Sequence, residues 1–415
     1  MRSSAEAAHA AVDQVARGGR GRLVAALTRR FGAGQLDRVE QCAQDAVVRA
    51  LERWPADGVP DDPERWLVRV AHNLAVDALR REDRPTADLE AAERERAGDA
   101  AGPPSASVDD ELALMFLCCH PSLSRAGQIA LTLKTACGFT AQQIALALLA
   151  DERTVAQRVV RAKQRLRQEG AAFELPAPDD LPERLGVLLD VLYMVFNEGY
   201  SPSDGESAVK DELCAEALRL SRLFTDQPRT ATPAAEALRA LFCFQASRAQ
   251  ARRADDGSLL LLAEQDRARW DAALLEEAMI HLDRAASGSE LTRFHLEAGI
   301  AACHATAPSH QATDWVQIAR LYDALRACAP SPVVEVNRAV AVAMVSGARA
   351  GIDELDAIPE RDLLGRYPYA LAAYAELHAS LGDFDQARAY LERALRHQPS
   401  AAQRALLTRK LRSLG

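Results

Sequence analysis

Gly138-Phe139-Thr140-Ala141-Gln142-Gln143-Ile144-Ala145-Leu146-Ala147-Leu148-Leu149-Ala150-Asp151-Glu152-Arg153-Thr154-Val155-Ala156-Gln157-Arg158-Val159-Val160-Arg161-Ala162-Lys163 reads as two helices joined by a short turn. Thr140 with Gln143 three residues on forms a capping box, which starts the first helix. Ile144, Ala145 and Leu148 make its inner stripe. The second helix begins near Thr154, and Val155, Val159 and Leu166 recur at the spacing of an inward face. Its other face carries Gln157, Arg158, Arg161, Lys163, Arg165 and Arg167. Gln and Arg in the first turns suit base edges in a major groove, where they bond adenine and guanine bidentately. The later cations suit phosphates, where charge alone serves. A basic solvated face on an ordinary helical pair accounts for the same residues, so this stretch alone leaves both readings open.

Outward from it, helical periodicity dominates and alternating strand patterns are nearly absent, which predicts an all-α chain. Ala, Leu, Arg and Glu are abundant, and these are good helix formers. Residues 8–82 read as a helical bundle with breaks at Phe31-Gly32-Ala33-Gly34 and from Trp54-Pro55 to Pro63. Residues 83–108, with Gly98 and Gly102-Pro103-Pro104-Ser105, are too rich in Pro, Gly, Ala and acid to build a core and read as a flexible acidic linker. A second small helical unit fills 109–172. Residues 173–285 are expected to form a helical connector and 286–415 helical repeats.

Charge divides unevenly. Residues 1–170 hold 24 Lys+Arg and 24 Asp+Glu, while the whole chain holds 50 and 59. The remainder is therefore 26 against 35, and the entire net charge of −9 falls in the second part. Any nucleic-acid affinity must come from a local basic patch. No run approaches the roughly 18 uninterrupted apolar residues of a membrane span; the most apolar stretch, Leu185 to Phe196, is broken by Asp190. The N-terminus lacks an apolar signal core, and the eight cysteines include no C-x-x-C pair, so reduced thiols and a cytoplasmic location are expected.

Pro63-Glu64-Arg65-Trp66-Leu67-Val68-Arg69-Val70-Ala71-His72-Asn73-Leu74-Ala75-Val76-Asp77-Ala78-Leu79-Arg80-Arg81 closely resembles the promoter-opening helix of extracytoplasmic-function RNA polymerase sigma factors. Val39-Glu40-Gln41-Cys42-Ala43-Gln44-Asp45-Ala46-Val47-Val48-Arg49-Ala50-Leu51 resembles the helix which that family docks on the polymerase β′ clamp, and 138–167 its second promoter-reading domain. The resemblance covers residues 15 to 170, three motifs in the family's order. It implies a region 2 bundle, a linker and a region 4 helix-turn-helix, with core RNA polymerase (β′ clamp and β flap) and promoter DNA as partners. It places Gln44, Asp45 and Arg49 at the polymerase, and Asn73, Asp77, Arg80 and Arg81 at the downstream promoter element. Thr154, Gln157, Arg158, Arg161, Lys163 and Arg165 fall at the upstream element. The chemistry fits: capturing unpaired bases needs hydrogen bonds such as those of Asn73, and Arg80 and Arg81 can anchor phosphates. Trp66, Leu67, Val70 and Leu74 read as core.

Glu111-Leu112-Ala113-Leu114-Met115-Phe116-Leu117-Cys118-Cys119-His120-Pro121 and Asn197-Glu198-Gly199-Tyr200 resemble signatures of the sigma subgroup with a helical-repeat extension. Adjacent cysteines cannot share a helix face and no second ligand pair exists, so Cys118 and Cys119 read as buried helix residues and no metal or other cofactor is expected. Asn197 to Tyr200 read as a helix end, with Gly199 left-handed, and Asn197, Glu198 and Tyr200 as an interface to the extension. Gly382, Phe384, Ala387, Leu391, Ala394 and Pro399 fall at tetratricopeptide spacings, with Ala375 in the preceding helix. Residues 314–358, with Asn337 and Gly347, give a weaker echo. Such arrays usually bind a protein or peptide in a concave groove. A dimeric helix-turn-helix regulator with a repeat-built sensor explains 138–167 but not 39–81. An enzyme is not expected, because no H-E-x-x-H, G-x-S-x-G or phosphate loop occurs.

Overall fold

The computed structural model describes residues 2–82, 107–148, 150–200, 207–252, 254, 260–359, 367–397 and 401–414; among them every regular element is helical. Two compact units divide the chain, Met1–Gly199 and Tyr200–Gly415.

The first unit opens with α1 (Arg2–Phe31), α2 (Leu36–Asp57) and α3 (Pro63–Glu82). Leu23 to Leu27 of α1 are buried with Leu36, Val39, Ala43, Ala46 and Ala50 of α2 and with Leu67, Ala71 and Ala75 of α3. The buried Trp54 meets Trp66 edge-on, ring centroids 5.5 Å apart, which ties α2 to α3. The break expected from Trp54-Pro55 to Pro63 is present at residues 58–62, and only its start is corrected. Pro55 lies inside α2, which runs on to Asp57. A proline there removes one N–H from the last turns, and the bond from Gly58 N–H to the Trp54 carbonyl closes the end at 3.0 Å.

Beyond the linker, whose residues 83–106 lie outside the described ones, Ser107 and Asp110 form a reciprocal capping box that starts α4 (Val108–Cys118). Every residue from Asp110 to Cys118 is buried, as befits a helix apolar on all sides. It is the centre of the unit, and Arg29 of α1 pairs with its buried Asp110. α5 (Arg125–Leu131) runs into a π turn at Thr132–Ala136, followed by α6 (Ala141–Ala147) and α7 (Glu152–Gln168). α8 (Leu181–Tyr200) closes the unit: Arg184 donates to the Phe116 carbonyl at 2.8 Å, and Arg125 donates to the Val187 carbonyl at 2.9 Å while pairing with Asp190. The left-handed cap expected at Gly199 is also corrected. Gly199 is a buried helical residue without positive φ, because α8 continues through it to Tyr200.

The second unit holds α9 (Ser207–Asp226), α10 (Pro233–Ser247), α11 (Ala272–Ala285), α12 (Arg293–Thr306), α13 (Trp315–Cys328), α14 (Pro332–Ser346), α15 (Ala348–Asp356), α16 (Pro368–Ser380), α17 (Phe384–Arg396) and α18 (Ala401–Ser413). Arg239 of α10, nearly fully buried, pairs with Glu277 of α11 and donates to the Leu218 carbonyl of α9 at 2.7 Å, which holds three helices together. From α13 onward, neighbouring helices share successive small cores. Gly351 lets α15 approach α14: a Cβ there would stand 2.5 Å from that of Ala343. Gly382 turns the chain between α16 and α17 at φ +78°. Ala375, Ala387, Leu391 and Ala394 are buried at that hairpin, whereas Phe384 is half exposed. Pro399 lies outside the described residues.

Candidate nucleic-acid and polymerase interface

The helix-turn-helix forms as its capping chemistry dictates. Thr140 accepts from Gln143 N–H at 3.1 Å and Gln143 accepts from Thr140 N–H at 2.8 Å. α7 starts two residues earlier than Thr154, because Asp151 accepts from Thr154 N–H at 3.0 Å and so caps it. Leu149, in the turn, lies outside the described residues. Val155, Val159, Ala162 and Leu166 are buried. Thr154, Gln157, Arg161 and Arg165 are exposed and Arg158 is half exposed. Arg165 pairs with Glu169 at 2.7 Å, while Arg158 and Arg161 hold no ion pair among the described residues.

Lys163 stands apart. It is 8% exposed, and its Nζ donates to Glu40 Oε2 and to Asp37 Oδ1, each at 2.9 Å. The other Glu40 oxygen accepts from the buried Thr135 hydroxyl, in the π turn. Arg167, one turn beyond Lys163, donates to Asp37 at 3.1 Å and to the Gly34 carbonyl at 3.2 Å. Asp37 and Glu40 share a face of α2 at i, i+3, and Lys163 and Arg167 share one of α7 at i, i+4, so the pairs match. Burial alone would lower the Lys163 pKa; the charge of Glu40 and the bonds to Asp37 and Glu40 exceed that and leave it raised. The C-terminal half of the recognition helix is thus docked on the start of α2. Spacing held the signal: Lys163 lies four residues after Val159 and three before Leu166, on the inward stripe.

On α2, Gln44 and Arg49 are exposed and Asp45 is half exposed. Gln44 accepts from Arg20 at 2.6 Å, and Asp45 accepts from Gln41 at 2.8 Å. On α3, Asn73, Asp77, Arg80 and Arg81 fall at i, i+4, i+7 and i+8, one stripe of a helix. Asn73 and Arg81 are exposed, Asp77 and Arg80 half buried, and none has a side-chain partner among the described residues. The stripe is polar and available.

Cys118 and Cys119 are fully buried; burial pushes both thiols up, Cys119 to about 11, where the thiolate is scarce. His120 bonds Ser122 at 2.8 Å. Among the described residues no cluster of three or more His, Cys, Asp or Glu could hold a metal, and no helix is long and apolar enough to cross a membrane. Of the candidate interface to the extension, Asn197 is exposed and Glu198 half buried. Tyr200 accepts from Arg248 at 2.6 Å through its hydroxyl, and the Arg252 guanidinium stacks 3.6 Å from its ring centroid.

Four families match successive parts of the chain: Sigma-70 region 2 at 20–85, Sigma-70 region 4 at 113–166, a family of unknown function (DUF6596) at 184–286, and the tetratricopeptide repeat at 370–410. A protein of Rhizobium meliloti (strain 1021), uncharacterized protein R00370, is 38% identical over 384 residues, covering 91% of this chain and 90% of that one. No solved structure matches.

Proposed function

This chain belongs to the sigma-70 family, as an extracytoplasmic-function sigma factor with a tetratricopeptide-like extension, and from that premise we propose that it binds core RNA polymerase, directs promoter recognition and opening, and is regulated by the extension. The observation that carries the reading is the unpartnered polar stripe of α3 alongside an exposed first half of the recognition helix. Region 2 opens and reads the downstream element through Asn73, Asp77, Arg80 and Arg81. Region 4 reads the upstream element through Thr154, Gln157, Arg158, Arg161 and Arg165. Lys163 joins them only when α7 leaves α2, so the docked arrangement is a closed form that polymerase and promoter must open. The core polymerase takes the α2 surface at Gln44, Asp45 and Arg49. Asn197, Glu198 and Tyr200 connect the sigma part to the extension, whose repeats accept a protein or peptide. A dimeric regulator leaves the region 2 match at 20–85 without a role.

Transcription from a promoter library by core polymerase with and without the purified chain tests the proposal; promoter-independent output in both would sink it. Three substitutions divide it into parts. Asp45→Lys should weaken core binding about tenfold, roughly 1.4 kcal/mol, with helical circular dichroism unchanged. Full affinity would remove Asp45 from the interface.

Arg158→Ala should cost about 1–3 kcal/mol of promoter binding and relax preference at one base position. Arg167→Ala, which also removes a bond that holds α7 on α2, should change binding to all sequences alike, without altering base preference. Footprints that fade uniformly in both variants would dismiss base reading by Arg158.

Substituting Asn73 and Asp77 should leave closed complexes intact and reduce permanganate-detected opening. Because neither side chain has a partner among the described residues, equal loss of both steps would contradict the assignment.

A further inference from the structure

Six side chains from successive connections of the second unit form one basic, aromatic cluster. Arg248 follows α10, Arg267 and Trp270 precede α11, His304 ends α12, His310 lies in the next loop, and Trp315 opens α13. The Arg267 guanidinium stands 4.6 Å from the Trp270 ring centroid and that of Arg248 5.9 Å from it. Arg267 Nη1 donates to the His304 carbonyl at 2.6 Å and to that of Ala307 at 3.0 Å. The rings of His304 and His310 each meet Trp315 edge-on, centroids 5.2 Å away.

No carboxylate among the described residues pairs with this charge. Neither Arg248 nor Arg267 holds a carboxylate among the described residues. Of the described acids beside these residues in sequence, Glu264 pairs with Arg409 and three others cap helices. Asp266 accepts from Ala268 N–H at 3.0 Å, Asp271 from Ala273 N–H at 3.0 Å and Leu274 N–H at 3.1 Å, and Asp314 from Gln317 N–H at 2.9 Å. Burial, then the charges of Arg248, His310 and Arg267, push the His304 pKa down to about 4, with no acid opposing them. Burial and Arg248 likewise lower that of Arg267.

Unpaired nitrogens add the second observation. Arg267 Nη2, His304 Nδ1, Trp315 Nε1 and Trp270 Nε1 are buried without a hydrogen-bond partner, and Trp270 is only 6% exposed. Closing the end of α12 accounts for Arg267 Nη1; it leaves Nη2 and both indoles unexplained. Native folds seldom leave so many donors together unsatisfied. An oxyanion supplies what they lack, since guanidinium forks and N–H groups bind carboxylate and phosphate with charge-assisted bonds. The depth of Trp270 favours a small molecule over a peptide laid along a groove.

We propose that this cluster binds a small ligand bearing a phosphate or carboxylate group, which would give the extension a chemical input of its own. The test uses the full chain labelled with 5-fluorotryptophan, whose four tryptophans include Trp54 and Trp66 of the first unit as internal references. Inorganic phosphate and citrate are titrated at ionic strength matched with chloride. The Trp270 and Trp315 fluorine resonances should shift saturably while those of Trp54 and Trp66 stay. A response to only one probe names the oxyanion class. Arg248→Gln and His310→Gln should each weaken the apparent affinity about tenfold. The His310 side chain has no hydrogen bond among the described residues and its ring meets Trp315, so circular dichroism of His310→Gln runs beside the titration to establish that the fold is kept. Absence of saturable shifts with both anions, equal shifts at all four tryptophans, or wild-type affinity in His310→Gln would overturn the site.

Discussion

Replacing Lys163 by methionine should destabilise the first unit by about 3–5 kcal/mol, the cost of leaving one partner of a buried ion pair without the other. Glu40, 7% exposed, would keep one hydrogen bond, from the Thr135 hydroxyl, and the charges of Arg20 and Lys134. The bond to Asp37 adds little, because that carboxylate is 58% exposed and screened. Hydrogen exchange in α2 and α7 of the full chain reads the effect locally, with denaturant unfolding beside it. The double variant Lys163→Met with Glu40→Leu should recover most of the loss, since an apolar pair has no desolvation to offset. The pH dependence has a definite sign. A lysine pKa raised by folding contributes fully below its unfolded value and loses that contribution as pH rises through the folded value. The gap between wild type and Lys163→Met should therefore be flat through neutral pH and close only in strongly alkaline solution. Wild-type exchange of α7 in the single variant would show that the pair does not hold the closed form.

Which parts of this protein could be read in advance follows from the range of the interactions concerned. The capping box at Thr140, the inward stripe of α7 and the repeat hairpin at Ala375 to Ala394 are set by residues three or four apart, and they stand as the periodicity predicts. The polar stripe from Asn73 to Arg81 is equally local. Lys163 was harder, because its partners lie 126 and 123 residues away on another helix. Without them a lysine among arginines reads as one more DNA-facing cation. Pro55 and Gly199 misled for the opposite reason. Both are helix breakers by propensity, yet Pro55 falls in the last turn of α2, where it removes one hydrogen bond and little helix follows it, and Gly199 sits buried within a helix. The cluster around Trp270 and Trp315 leaves no pattern in sequence, being assembled from loops between four helices.

Ending the chain at Gly199 should leave a folded sigma part with at least about tenfold less promoter-directed transcription, whereas ending it near Ala172 should prevent folding. The difference is α8. It buries Leu185, Leu188, Leu189, Val191, Leu192, Val195 and Phe196, and side chains of this size contribute about 1.5–3 kcal/mol each as an upper estimate. Their sum matches or exceeds the whole stability of an ordinary domain, about 5–15 kcal/mol. Removing α8 also frees the Phe116 carbonyl from Arg184 and the charge of Arg125 from Asp190. A silent fragment ending at Ala172 would thus report misfolding and say nothing of regulation. The boundary at Gly199 separates the two effects. Loss of transcription there follows if the extension is required for activity, as its subgroup resemblance implies. Should the acidic extension instead mask Arg158 and Arg161, the same fragment gains activity. Circular dichroism and hydrogen exchange at α4 establish that it is folded, and transcription from one promoter at matched sigma concentration then decides. Output equal to that of the full chain from a folded fragment would sink regulation in either direction.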